Sequence, residues 1–368
     1  MSSKNKKLKV VIAGGGTGGH LFPGIAMAQE FKEMGAKVSF VGTKRGIEKK
    51  VVPREGYPLY LINVKGIKGN SRVKKIISLL VLPWAFFRSL WLLLRIRPHL
   101  VIGVGGYVSG PFVMTASVFG FKTALLEQNT VPGITNKMLA RFVKKIFISF
   151  PESKKYFPLK KIVEAGNPVR KKIREEINRK TGEKPAQKMK NLLIFGGSQG
   201  AHAINMVMKE VLPLLAGCNL EIVHQTGQKD WQQVEEFYGQ SQLKSKILPF
   251  IDDMASAYGR ADLVLCRAGA TTIAELTIAG LPAIFIPFPY ATDNHQEYNA
   301  RSLEKEGAAR CVTEKELTAS KLADLINNLI EDPAKLKQMS AGMLSRANLD
   351  ATVKIKNELL QMINWRKK

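Results

Sequence analysis

Aspartate is absent from the first 190 residues of this 368-residue chain, and D-x-D occurs nowhere in it. A divalent cation held between such carboxylates is therefore not expected. Cysteine is scarce: Cys218, Cys266 and Cys311 are odd in number, widely spaced, and form neither a C-x-x-C pair nor a zinc-type cluster with histidine. That argues against a disulfide framework and for a reducing compartment. The apolar stretch after the N-terminal lysines is too short for an export signal and leads straight into a glycine loop, so it reads as a first strand. No RNA-reading motif is present, which leaves nucleic acid off the partner list. Disorder is also disfavoured over most of the length, since 45% of residues are apolar and 23% charged.

What is abundant is positive charge, and it is uneven. The net charge is +26, yet the first 190 residues hold 37 Lys+Arg against 10 Glu, and the remaining 178 hold 19 against 20 acidic residues. The N-terminal half therefore faces an anionic partner: nucleic acid, anionic lipid or a phosphorylated substrate on charge alone. The length suits two domains of roughly 150 to 200 residues each.

The two halves are built alike. A β-rich run at 8–13 enters GGGTGG at 14–19 and then a helical pattern; a run at 191–195 enters GGSQG at 196–200 and another helical pattern. Further apolar runs (VSFVG, HLVIGVG, TALLEQ, KIFISF, LEIVHQ, DLVLCR, PAIFIPF) alternate with helical stretches, which predicts a parallel sheet in each half. The expected fold is α/β, two Rossmann-like domains facing across a cleft, with ligands at the strand ends. The expected division is 1–169, a charged helix and linker over 170–190, a second domain over 191–347, and a basic final helix at 348–368 that packs back on the first.

Gly14, Gly16 and Gly19 fit G-x-G-x-x-G, in which backbone amides approach a diphosphate at a helix N-terminus. The acidic residue that would hold an adenosine ribose is missing where VSFVG ends in Gly42, Thr43, Lys44 and Arg45, which disfavours NAD and leaves NADP or a mere packing turn open. In the second half GGSQG offers amides and the Ser198 hydroxyl. The small-residue turn at 268–272 opens a helix with Glu275 one turn inside, placed for ribose hydroxyls or simply solvated. A polar cluster follows the strand PAIFIPF, with Asp293, Asn294, His295, Gln296 and Asn299 available for sugar hydroxyls or for helix capping.

GGGTGGH, GGYVSGP, EQN, GNPVR, GGSQGA, FIDDM, GATTIAEL and HQEYNA, in this order from Gly14 to Ala300, closely resemble the MurG family. The resemblance implies an inverting GT-B transferase that moves N-acetylglucosamine from UDP-GlcNAc to a polyprenyl-diphosphate-linked muramyl peptide, lipid I to lipid II, in peptidoglycan synthesis. It implies donor contacts from Thr17, Gly18, Gly19, Asn129, Arg170, Ser198, the backbone of Ile251, Ala270, Thr271, Thr272, Ile273, Ala274, Glu275 and Gln296, with help from Asn299. It assigns Gly105, Gly106, Tyr107 and Ser109 to the acceptor diphosphate. His20 would lie close to the reacting hydroxyl, which makes it the candidate general base, with Glu127 as the second candidate. No cofactor and no metal are implied.

The 19-residue run at 76–94 has the length of a membrane span, but Arg88 and Pro83 interrupt it, and charge in a span costs about 2.5 to 3.5 kcal/mol. Trp84, Arg88, Trp91 and Arg95 share one helix face, which suits a helix lying on an anionic membrane surface, peripheral and on the cytoplasmic side. A core helix with two surface arginines is the alternative. Competing functions are an NADP-dependent oxidoreductase, a lipid- or nucleic-acid-binding protein, and another UDP-sugar enzyme such as a glycolipid synthase or an epimerase.

Overall fold

The computed structural model describes residues 7–44, 46–64, 72–179, 189–197 and 199–365, with backbone alone at 72–82, 178 and 179. The chain divides into two compact units, Met1–Arg170 with Asp350–Lys368, and Lys171–Leu349.

In the first unit, β1 (Lys9–Gly14), α1 (Gly18–Glu33), β2 (Lys37–Gly42), α2 (Glu48–Arg54) and β3 (Leu59–Leu61) run outward from the middle of a sheet. The long α3 (Arg72–Ile96) returns the chain to β4 (Leu100–Gly105) on the other side of β1, and α4 (Ser109–Val118), β5 (Thr123–Glu127), α5 (Ile134–Leu139), β6 (Lys145–Ile148) and β7 (Ile162–Glu164) complete it. All pairings are parallel, in the order β3-β2-β1-β4-β5-β6-β7. Strand side chains alternate between faces, and both faces of this sheet are covered, which is why its central strands read as continuous apolar runs. Val10 and Ile12 pack beneath Leu21 and Ile25 of α1, whereas Val11 and Ala13 pack with Leu92 of α3 and Phe112 of α4.

The second unit repeats the design. After α6 (Lys171–Arg179) come β8 (Lys190–Phe195), α7 (His202–Leu214), β9 (Leu220–Gln225), α8 (Trp231–Gly239), β10 (Lys244–Leu248) and α9 (Met254–Arg260). The chain then crosses to β11 (Leu263–Cys266), α10 (Ala270–Ala279), β12 (Ala283–Phe285), α11 (His295–Lys305), β13 (Ala309–Cys311), α12 (Ala319–Ile330) and α13 (Pro333–Ser345). The six parallel strands are ordered β10-β9-β8-β11-β12-β13. Of the charged segment, the nine residues of α6 pack on α9 and α10 of this unit, and residues 180–188 lie outside the described residues.

The chain ends in α14 (Ala351–Met362), part of the first unit. Ile355 and Leu359 are fully buried in the core beside α1. Ion pairs Lys356–Glu30 and Lys145–Glu358 and a bond from Lys354 Nζ to the Glu164 carbonyl fasten its polar side.

Candidate active site

In each sheet the chain reverses direction of travel at one pair of strands, β1/β4 in the first and β8/β11 in the second. Loops leaving two such strands diverge to opposite faces and open a crevice at their carboxyl ends, where doubly wound sheets take ligands. The loops that leave these strands are GGGT, GGYV, GGSQGA and RAG, so topology gathers four motifs far apart in sequence into two places.

Each loop feeds a helix whose first amides point back at the crevice. α1, α4, α7 and α10 begin at Thr17, Val108, Ala201 and Gly269 with no side-chain cap among the described residues and no acid in the first turn. By contrast α9, α12 and α13 are capped by the side chains of Asp253, Thr318 and Asp332. A helix start without a side-chain cap turns its first backbone amides and the positive end of its dipole toward the place an anion would take.

In the first unit the two loops lie glycine against glycine. A Cβ on Gly14 would come within 2.5 Å of the Gly105 carbonyl, and one on Gly106 within 2.5 Å of the Gly15 carbonyl, so neither position admits a side chain. Thr17 is the extended N-cap of α1, followed by Gly18, Gly19 and His20 in its first turn. The imidazole lies on Gly105, where a Cβ would meet its Nδ1 at 2.6 Å, and Nδ1 is 3.4 Å from Gln128 Oε1. Gln128 is buried and donates through Nε2 to the Val104 carbonyl at 3.2 Å, which fixes its oxygen toward the histidine. This contact favours the Nδ1–H tautomer and leaves basicity at Nε2.

Glu127 ends β5 and is turned inward. It is 1% exposed; its Oε1 accepts from the Asn129 amide at 3.0 Å and Asn129 Nδ2 at 3.4 Å, and its Oε2 accepts from Asn136 Nδ2 at 2.9 Å. Burial pushes its carboxyl up to about 7, against the pull of these donors. The same bonds set the position of Asn129. Arg170 lies over the Phe22 ring of α1 at 4.5 Å, which brings the last residue of GNPVR to the helix that carries His20. Tyr107 is exposed, but Ser109 is fully buried, with its hydroxyl beneath Gly103. Among the four acceptor residues inferred from sequence, Ser109 thus sits in the packing of α4 rather than at the loop surface.

In the second unit Gly200 packs on the Thr226 carbonyl, where a Cβ would be 1.8 Å away, so the glycine loop is seated on the loop after β9. Ser198 lies outside the described residues. Ile251 is nearly buried just beyond β10. Ala270, Thr271, Thr272, Ile273, Ala274 and Glu275 form the first turns of α10, and Glu275 is neither free nor solvated: it is 5% exposed and its Oε2 accepts from Tyr258 Oη at 2.9 Å. Gln296 opens α11 with its Oε1 accepting the Phe288 amide at 3.0 Å, which ties it to the loop after β12. That loop passes through Asp293 and Asn294, both at φ 54°, a left-handed conformation that costs side-chain-bearing residues energy and is held here by the flanking turns. Asn299 is fully buried and donates to the Ala268 carbonyl at 3.3 Å, so it braces the turn before α10 instead of reaching a sugar.

Gln128, Tyr258 and Arg267 also shape the site, and the sequence does not single them out. Gln128 lies inside the EQN motif, where its residue type marks no particular role. Tyr258 follows FIDDM at an ordinary core position of α9. Arg267 Nη1 donates to the Ile286 and Pro287 carbonyls at 3.0 and 3.1 Å and its Nη2 to Glu314, which stitches the ends of β11 and β12 together. Their partners are 17 or more residues away in sequence, and nothing local advertises them.

Residues 10–148 match the glycosyltransferase family 28 N-terminal domain and residues 191–355 the family 28 C-terminal domain. The chain is 48% identical to UDP-N-acetylglucosamine--N-acetylmuramyl-(pentapeptide) pyrophosphoryl-undecaprenol N-acetylglucosamine transferase of Syntrophus aciditrophicus, over 97% of this chain and 99% of the relative. It is 49% identical to the same-named protein of Myxococcus xanthus, over 92% and 89%. Among solved structures it resembles Acinetobacter baumannii MurG, with TM-score 0.78, 32% identity and coverage of 96% of this chain and 99% of that one. A UDP-N-acetylglucosamine 2-epimerase at TM-score 0.69 and 14% identity, covering 99% and 98%, shares the fold alone. With two family 28 domains in a GT-B fold and nearly half its residues identical to such relatives over almost its whole length, the chain belongs to the MurG family of glycosyltransferases.

Proposed function

We propose that the protein transfers GlcNAc with inversion from UDP-GlcNAc to the MurNAc 4-hydroxyl of undecaprenyl-diphosphoryl-MurNAc-pentapeptide, converting lipid I to lipid II. The observation that carries this reading is the placing of uncapped helix N-termini at both topological switch points, two crevices fit for two diphosphates. Donor recognition is assigned to the second unit. The amides at the starts of α7 and α10 receive the UDP diphosphate and stabilise the charge that develops as UDP leaves. Glu275, aimed by Tyr258, accepts from the ribose hydroxyls; the Ile251 backbone meets the uracil; Gln296 meets the sugar.

Acceptor recognition is assigned to the first unit. The amides at the starts of α1 and α4 suit the polyprenyl diphosphate, and His20 Nε2 takes the proton of the attacking hydroxyl. Glu127, the other candidate base, is sealed from solvent, and its geometry supports a role through Asn129. The chain works at a membrane surface. Trp84, Phe87, Trp91 and Leu94 of α3 are 69%, 63%, 44% and 58% exposed, and the guanidinium groups of Arg88 and Arg95 lie 4.4 and 5.1 Å from the Trp91 ring. Among the described residues no helix is long and apolar enough to cross a membrane. An aromatic and cationic face of this kind suits the headgroup layer of the cytoplasmic leaflet.

The test is transfer of labelled GlcNAc from UDP-GlcNAc to a polyprenyl-diphosphoryl-MurNAc-peptide, with the acceptor omitted as control. Acceptor-dependent product is expected. Conversion of UDP-GlcNAc without acceptor would instead favour a different UDP-sugar reaction on the same fold.

A further inference from the structure

The first glycine loop carries an anion of its own. Glu48, the first residue of α2, is fully buried. Its Oε2 accepts the Gly16 amide at 2.8 Å, and its Oε1 accepts both the Thr43 amide and the Thr43 hydroxyl at 2.8 Å. Thr43 Oγ1 in turn accepts the Gly46 amide at 3.2 Å. Glycines make room for the carboxylate on several sides: a Cβ would come within 2.5 Å of it from Gly15, within 1.9 Å from Gly46, and within 2.5 Å of Glu48 Cγ from Gly42.

Gly16 is the middle glycine of G-x-G-x-x-G, the one that in a dinucleotide site lets the backbone approach a diphosphate. Here that amide already ends on a carboxylate from within the chain, and a phosphate brought to it would meet a negative charge. The charge-assisted bonds join the loop after β1 to the turn after β2, and α1 leaves the loop with His20 four residues beyond Gly16.

We infer that Glu48 is the positioning residue of this loop: its carboxylate fills the place of a phosphate at Gly16, excludes diphosphate from that amide, and holds the start of α1 so that His20 stays on Gly105 and Gln128. The inference rests on the proposed role of His20, but the loop contact itself is testable without it. Ligand anions in the first unit are then left to the start of α1 beyond Gly16 and to the loop after β4.

The experiment compares the full-length protein with Glu48→Ala and Glu48→Gln. Dissociation constants for UDP, whose elements lie in the second unit, should stay within about two-fold, while kcat falls about 30-fold in Glu48→Ala, the size expected for lost bonds to a charged group. Formate, a carboxylate small enough for the vacated place, should restore part of kcat in Glu48→Ala but not in Glu48→Gln; chloride at equal ionic strength should restore none. Hydrogen exchange over residues 14–20 should quicken in both variants. A kcat within three-fold of wild type in a Glu48→Ala protein that binds UDP normally would overturn the proposal, as would equal effects of formate and chloride. Should Glu48→Ala fail to fold, Glu48→Gln decides: unchanged kcat and unchanged exchange over 14–20 overturn it. If the wild type gives no acceptor-dependent product, the transferase reading fails separately, and exchange over 14–20 still judges Glu48.

Discussion

At the scale of single residues, the site depends on polar groups whose partners are buried with them. Glu127 is the clearest case. Burial raises its carboxyl from 4.5 to about 7, so the folded state holds the proton more tightly than the unfolded chain does. Its contribution is therefore fully present below about pH 4.5 and is lost as pH rises through about 7, an effect on the order of 3 kcal/mol. Glu127→Gln cannot titrate. In equilibrium unfolding, wild type should lose stability relative to this variant by about that amount between pH 4.5 and 8; a flat difference would mean that the carboxyl does not titrate there. His20→Ala should keep UDP binding while kcat falls about 100-fold or more, as for a removed general base, and near-normal turnover would pass the role to another group. Tyr258→Phe deletes one hydrogen bond to the buried Glu275 and should weaken UDP binding about five-fold by calorimetry while costing about 1 to 3 kcal/mol of fold stability, since a buried acceptor loses a donor.

At the scale of elements, α3 and α14 show one helix design used for two purposes. Both bury an apolar stripe, Leu92 and Leu93 in α3 and Ile355 and Leu359 in α14. Flanking its stripe α14 carries ion pairs with its own unit, whereas on the side away from its stripe α3 exposes Trp84, Phe87, Trp91 and Leu94 beside two arginines. Replacing Arg88 and Arg95 by glutamate should weaken binding to anionic vesicles at least ten-fold, from about 1 kcal/mol per cation near a charged surface and the reversed sign. Flotation unchanged by this double substitution would leave α3 as a core helix with two surface arginines. Leu359→Ala, which empties a fully buried site, should cost about 2 to 5 kcal/mol in the unfolding of the first unit.

At the scale of the whole molecule, charge and secondary structure were legible from the residue order, because they depend on composition and on short-range periodicity. The seven apolar runs read from sequence became β2, β4, β5, β6, β9, β11 and β12, and the two runs before the glycine loops became β1 and β8. The four strands outside those runs, β3, β7, β10 and β13, are the four sheet edges. An edge strand is short and covered on fewer sides, as in KSKIL, so it leaves little apolar signature. The glycine motifs likewise announced tight turns, since only glycine lets two loop backbones touch as Gly14 and Gly105 do. Their neighbours were not announced. That Gly16 bonds Glu48, that Glu275 bonds Tyr258, that Ser109 is buried and that Glu127 faces inward follow from strand order and helix packing, which bring together residues tens of positions apart. By itself the sequence determined which segments form the nine inner strands, which turns require glycine and where the cations gather; only the tertiary structure decided which segments close the sheet edges and which polar groups meet, because a hydrogen bond is set by position in space to a few tenths of an ångström, and no local pattern encodes that.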